Sequence, residues 1–160
     1  MACTTPPQLK AGAALPFDRE NIPLAQADEC LNIKIDISVP VSRIPQFVAE
    51  TDALLQSKIP GIRLVNFGHL GDGNLHYNIA GPSSAETEEF FTSKSKEIQA
   101  LVYAEVEKLN GSISAEHGVG QQKVGYLKGH RGEVALGVMQ AIKHALDPHN
   151  LMNPGKVIAS

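Results

Sequence analysis

The chain has 160 residues, a formal net charge of -3, 42% hydrophobic and 19% charged residues. That is enough for one domain with its own core and too little for two ordinary ones; the composition is not that of a disordered chain, and no basic stripe is present to cover phosphates, so nucleic acid is excluded as an expected partner. Cys3 and Cys30 form no paired spacing, the N-terminus lacks a secretory apolar region, and no apolar run nears the roughly 18 residues that a transmembrane helix requires, so a soluble intracellular protein, cytoplasmic or mitochondrial, is expected.

Residues 1–30 hold four of the ten prolines and follow neither a period of 2 nor one of 3.6, which predicts an irregular N-terminal segment. From Asn32 the pattern sharpens. Ile33, Ile35, Ile37 and Val39 alternate with Asn32, Lys34, Asp36 and Ser38, as in a half-buried strand. Ile44, Phe47, Val48, Leu54 and Leu55 then recur at helical spacing, with Ser42 as the expected N-cap, Pro45 in the first turn and Pro60-Gly61 as the stop. Ile62–Leu70 and Leu75–Ile79 read as two strands of a hairpin closed by Gly71-Asp72-Gly73. A second helix is expected from Ser84, with Ile98, Leu101, Val102, Val106 and Leu109 on one face and Asn110-Gly111 as its C-cap pair. Ser112–Glu116 follows as a short strand. A last helix carries Ala135, Val138, Met139, Ile142, Ala145 and Leu146 on one stripe and stops at Asp147-Pro148, before an extended tail.

The order β-α-β-β-α-β predicts an α+β fold: a ferredoxin-like antiparallel sheet of the split βαβ type, with helices on one face, plus the C-terminal helix and tail. The expected organisation is an irregular segment 1–30, a domain over 31–146 and a tail over 147–160. The open face of such a sheet invites a homodimer.

Chemistry gathers on that face. His69 and His76 flank the hairpin turn, and strand parity puts Asn74 and His76 on the same side as Lys34, with Ser114 and Glu116 of the last strand available to the same side. Two imidazoles and one carboxylate suit zinc or a similar divalent ion and leave positions open for a ligand. His117, flanked by Gly118-Val119-Gly120, leaves the strand beside them and has the chemistry of a general acid or base. Lys34 would anchor a carboxylate. His130, His144 and His149 share no geometry and read as surface residues.

The strings Gly68-His-Leu-Gly-Asp-Gly-Asn-Leu-His76, Ser114-Ala-Glu-His-Gly-Val-Gly120 and Asp147-Pro-His-Asn-Leu-Met-Asn-Pro-Gly-Lys156 resemble the C-terminal region of the FAD-linked oxidases, which include D-lactate and D-2-hydroxyglutarate dehydrogenases and the glycolate oxidase flavin subunit. The resemblance runs over residues 31–160, and Lys34–Pro40 is similar to the strand that opens the family's substrate-binding cap. It implies oxidation of a 2-hydroxy acid to a 2-oxo acid, a metal on His69, His76 and Glu116, substrate contacts from Lys34 and Asn74 as well as the two histidines, His117 as acid/base, and Asn153 near the flavin. The family's flavin-binding domain precedes this region. Residues 1–30 are not expected to build it, and the family's upstream substrate-binding arginines have no counterpart here, Arg19 being the only arginine in that segment, so FAD is expected from a missing or separate domain or chain. The alternative is a metal- or small-acid-binding module without redox activity of its own.

Overall fold

A computed structural model describes residues 31–82 and 88–159. The expected irregular segment 1–30 and the expected start of the second helix at Ser84 lie outside them. Among the described residues three strands are present: β1 (Asn32–Ser38), β2 (Arg63–Phe67) and β3 (Asn74–Ala80). The described residues also form three α-helices: α1 (Ile44–Lys58), α2 (Glu88–Lys108) and α3 (Val124–Leu146). The strands form a mixed α/β unit's small antiparallel sheet in the order β1-β3-β2, so β3 runs against both neighbours.

Alternation decides which side of the sheet is filled. Ile33, Ile35 and Ile37 of β1 and Leu75, Tyr77 and Ile79 of β3 enter one core with Phe47 and Leu55 of α1 and Ile98, Val102 and Val106 of α2. Phe47 and Tyr77 meet edge to face with ring centroids 5.5 Å apart, a favoured aromatic arrangement. Completely buried side chains of this size each contribute on the order of 1.5–3 kcal/mol through burial alone, so this layer is what holds the sheet to its helices. The opposite side carries Lys34, Asp36, Phe67, Asn74, His76 and Asn78. Pairing across the ladders sets Asp36, His76 and Phe67 in one row and Lys34, Asn78 and Val65 in the next.

The structure corrects several expectations. The fourth strand does not form: Ser112 makes an isolated bridge with Ser38 at the edge of β1, and the segment after it bends away. Ser42 does not cap α1; it lies in a 3-10 turn, Val41–Arg43, and Arg43 takes the N-cap position with no side-chain hydrogen bond, while Pro45 does occupy the first turn. The first hairpin strand ends at Phe67 rather than Leu70, because the chain turns at Gly68 into a 3-10 turn, Leu70–Asp72, closed by Gly73 in the left-handed region. His69 therefore stands on the connection and not on a strand. Asn110 adopts a positive φ and Gly111 N–H returns to the Val106 carbonyl at 2.9 Å, as the C-cap pair predicts.

The C-terminal third differs most. α3 is interrupted at Gly132, whose φ of 71° and ψ of 161° belong to no helix. Of the expected stripe, Ala135 and Met139 are partly buried while Val138, Ile142, Ala145 and Leu146 are exposed, and Val134 beside them is exposed as well, so most of this apolar face is uncovered among the described residues. The tail is turned rather than extended, with Asn150, Asn153 and Val157 at positive φ.

Candidate functional site

The polar sheet face is closed at one side by residues 114–120, which leave the Ser38–Ser112 bridge and cross over the ends of β1 and β3. Their course is set by a residue of β1. Asp36 Oδ2 accepts the backbone N–H groups of Ala115, Glu116 and His117 at 3.1, 3.0 and 2.9 Å. Asp36 is buried, with 6% of its surface exposed. Burial alone would push its carboxyl upward, but the three N–H groups and the Lys123 ammonium outweigh that and hold it below the usual carboxylate value. Lys123 is half-buried, and its own burial lowers its pKa against the opposing pull of Asp36. Its Nζ donates to Ser114 Oγ at 3.2 Å, and Ser114 Oγ donates to the His117 carbonyl.

This loop delivers Glu116 to the hairpin. His69 Nδ1 lies 2.7 Å from Glu116 Oε1, and His76 Nε2 lies 3.6 Å from Oε2, so the two imidazoles approach the two oxygens of one carboxylate. Asn74 Nδ2 donates to Oε1 at 2.5 Å. His76 is stacked at a tilt against Phe67, 5.0 Å between centroids, which fixes its ring plane. His117 comes next to this cluster: its ring centroid is 6.3 Å from that of His76, its Nδ1 is 3.5 Å from Asp36 Oδ2, and 70% of its side chain is exposed.

A cleft of about 290 Å³ opens here, lined by Lys34, Asp36, Phe67, His76, Asn78 and His117. A second cleft of about 510 Å³ shares Lys34, Asp36 and His117 and continues past Gly118–Gln122 to Lys123 and Lys156. Lys34, His76 and His117 thus face common space. Asn74 does not line either cleft; it is buried, with its Oδ1 left without a donor. Asn153 is apart from them, in a groove between the second half of α3 and the tail, and Lys156 borders both regions.

The family model of the FAD linked oxidases, C-terminal domain, matches residues 15–157. The chain belongs to this family. A D-2-hydroxyglutarate dehydrogenase of Stutzerimonas stutzeri (strain A1501) is 46% identical over 127 residues, 79% of this chain and 27% of that protein. A D-lactate dehydrogenase of Anaerostipes hadrus is 35% identical over 132 residues, 82% and 27% of the two chains. A probable mitochondrial D-lactate dehydrogenase of Danio rerio is 37% identical over 131 residues, 81% and 25%. The chain spans about a quarter of the length of these curated relatives.

His69, His76 and Glu116 bring two imidazoles and a carboxylate together from the hairpin and the loop, donor types that a divalent cation can take. As arranged, the three make hydrogen-bonding and ion-pair distances to one another, and among the described residues no three His, Cys, Asp or Glu side chains form a cation-holding group. The donor types are compatible with a divalent cation, while the present spacing is that of a closed cluster in which the three side chains bond to one another. No helix among the described residues is long and apolar enough to cross a membrane.

Sequence reasoning about this domain missed Asp36, Lys123 and Phe67. Asp36 was within reach of it, since it stands two residues after Lys34 and so on the same face of β1. Lys123 had no such signal, because its role depends on where the turn after Gly120 returns the chain.

Proposed function

We propose that this chain is the substrate-side part of an FAD-dependent oxidoreductase that oxidises a 2-hydroxy acid, of the D-lactate, glycolate or 2-hydroxyglutarate type, to the 2-oxo acid. The reading is carried by the approach of His69 and His76 to one Glu116 carboxylate beside His117, in a chain that belongs to the FAD-linked oxidase family. The names of the relatives support the substrate class. Their greater length is in keeping with FAD held by another domain or chain, without which this one is inactive.

In this reading Lys34 binds the substrate carboxylate from β1, His76 borders the cleft where the hydroxyl lies, and His69 and Asn74 reach the same end of the site through their hydrogen bonds to Glu116. His117 takes the hydroxyl proton at Nε2, since Nδ1 is the nitrogen beside Asp36. A divalent cation, zinc by preference, held by His69, His76 and Glu116 would supply Lewis acidity toward the hydroxyl and carboxylate oxygens. FAD, when bound, supplies a two-electron acceptor for the hydride of the α-carbon, and Asn153 is assigned to its neighbourhood. Residues 31–146 then form the substrate and metal domain and residues 147–160 the tail that meets the flavin domain. The β1-β3-β2 order and the Ser38–Ser112 bridge support a ferredoxin-like unit reduced at its fourth strand. A soluble intracellular location is part of the same proposal and is supported by relatives named as mitochondrial.

The test is metal analysis and calorimetric titration of the purified chain with D-lactate and D-2-hydroxyglutarate, comparing wild type with His76→Ala and Lys34→Ala. Metal should be retained by wild type and by Lys34→Ala and lost from His76→Ala, and acid binding should weaken in both variants. Equal metal content in wild type and His76→Ala overturns the metal site; binding of neither acid by metal-loaded wild type overturns the substrate reading.

A further inference from the structure

We infer that Asp36 is a positioning residue that sets the directions of Glu116 and His117, an inference that rests on the roles proposed above for those two side chains. One carboxylate oxygen gathers three consecutive amides, those of Ala115, Glu116 and His117. Successive N–H groups aimed at a single anion form a concave nest, and a chain in that shape cannot also run as a strand. The side chains of residues 115–117 therefore leave the backbone in directions fixed by Asp36 and not by a sheet ladder.

The same residue faces His76 across the β1–β3 ladder. One side chain thus ties the loop that carries Glu116 and His117 to the strand that carries His76. Closure of the chain at this point does not need Asp36, because Ser38 and Ser112 already exchange both backbone hydrogen bonds, at 2.9 and 2.7 Å. What Asp36 adds is the turn after the bridge. Lys123, reaching the Asp36 carbonyl at 3.4 Å and Ser114 Oγ at 3.2 Å, braces that turn from the start of α3.

The experiment reads amide hydrogen exchange by NMR and Zn²⁺ affinity by competition with a chelator in the full chain, for wild type, Asp36→Asn, Lys123→Gln and, as a core control on the same strand, Ile37→Val. Asp36→Asn should accelerate exchange at Ala115, Glu116 and His117 by about tenfold or more while β3 amides keep their rates, and should weaken Zn²⁺ binding by about ten- to hundredfold, the range seen when a group supporting a ligand is removed. Lys123→Gln should accelerate the same three amides by a smaller factor and serves where Asp36→Asn does not fold. Ile37→Val should leave both readouts unchanged. Wild-type exchange at the three amides in Asp36→Asn, or an equal loss of Zn²⁺ affinity in Ile37→Val, overturns the inference. Absence of Zn²⁺ binding by wild type overturns the metal site instead, and amide exchange then decides the role of Asp36 by itself.

Discussion

Gly73 lies back to back with Val39: its carbonyl accepts the Val39 N–H at 3.0 Å, and a β-carbon on Gly73 would run into the Val39 carbonyl oxygen. The contact joins the hairpin connection to the end of β1, and it does so at a φ of 73° that L residues rarely adopt. Gly73→Ala combines both penalties and should cost about 1–3 kcal/mol, measured by urea unfolding. Because Gly73 separates His69 from Asn74 and His76, the folded fraction of this variant should also bind Zn²⁺ more weakly than wild type.

Tyr77 offers a contrasting case on the other side of the sheet. Its hydroxyl donates to Asp52 Oδ1 at 2.5 Å, and the residue is fully buried. Burial first, and the Asp52 carboxylate second, push the phenol far above its ordinary value, so it stays protonated at any working pH. Tyr77→Phe removes a hydrogen bond to a charged group and should lower stability by about 1–3 kcal/mol. It should leave the affinity for Zn²⁺ and for 2-hydroxy acids unchanged, since the ring faces the helices and not the cleft.

Asp147 makes stability depend on pH. The Lys143 ammonium is the main cause that holds its carboxyl below the ordinary value of 3.8, burial opposes, and the N–H groups of Met152 and Leu151 add to the lowering. A carboxyl whose folded value lies below its unfolded value contributes stability that is present above 3.8 and is lost as pH falls through the folded value. Asp147→Asn should therefore be less stable than wild type at pH 6, with the gap between them narrowing below pH 3.8. Urea midpoints taken across that range check both the direction and the window.

The stripe on α3 gives a prediction of small effects. Val134 is 85% exposed, and Val138, Ile142 and Leu146 are more than half exposed. Val138→Glu should change unfolding stability by no more than about 0.5 kcal/mol, as is usual for surface positions, whereas Ile98→Ala in the core should cost about 2–5 kcal/mol. Paired with Ile142→Glu it should also reduce any concentration-dependent association seen by light scattering, because four apolar side chains on one line are a surface that water disfavours.

The sequence made β1, α1, β3 and the body of α2 legible because each carries its own period and buries the apolar face that the period names. Ile33, Ile35 and Ile37 could be read as core without knowing what covered them. Glu116 was read onto the polar face by strand parity, and it does meet His69 and His76, though for another reason. Residues 115–117 give their N–H groups to Asp36, a long-range hydrogen bond that no local pattern encodes, and so they never join the sheet. The α3 stripe failed in the opposite way. Its period is as clear as that of α2, but periodicity states only that a face is apolar and does not supply the surface that buries it.

The interruption at Gly132 gives that exposed helix a mechanical meaning. Residues before it are tied to the core through Tyr126, which packs edge to face on Tyr103 of α2, and Leu127 beside it is buried. Residues after it are held to their own tail through Asp147, and a backbone hydrogen bond, Val157 N–H to the Gly120 carbonyl at 2.8 Å, links that tail back to the loop before α3. Local opening follows the density of buried contacts, so the segment beyond Gly132 should open as a unit of its own while the sheet remains closed. Trypsin would then find Arg131 first, and the early product of limited digestion would be a sheet domain that still carries His69, His76, Glu116 and His117.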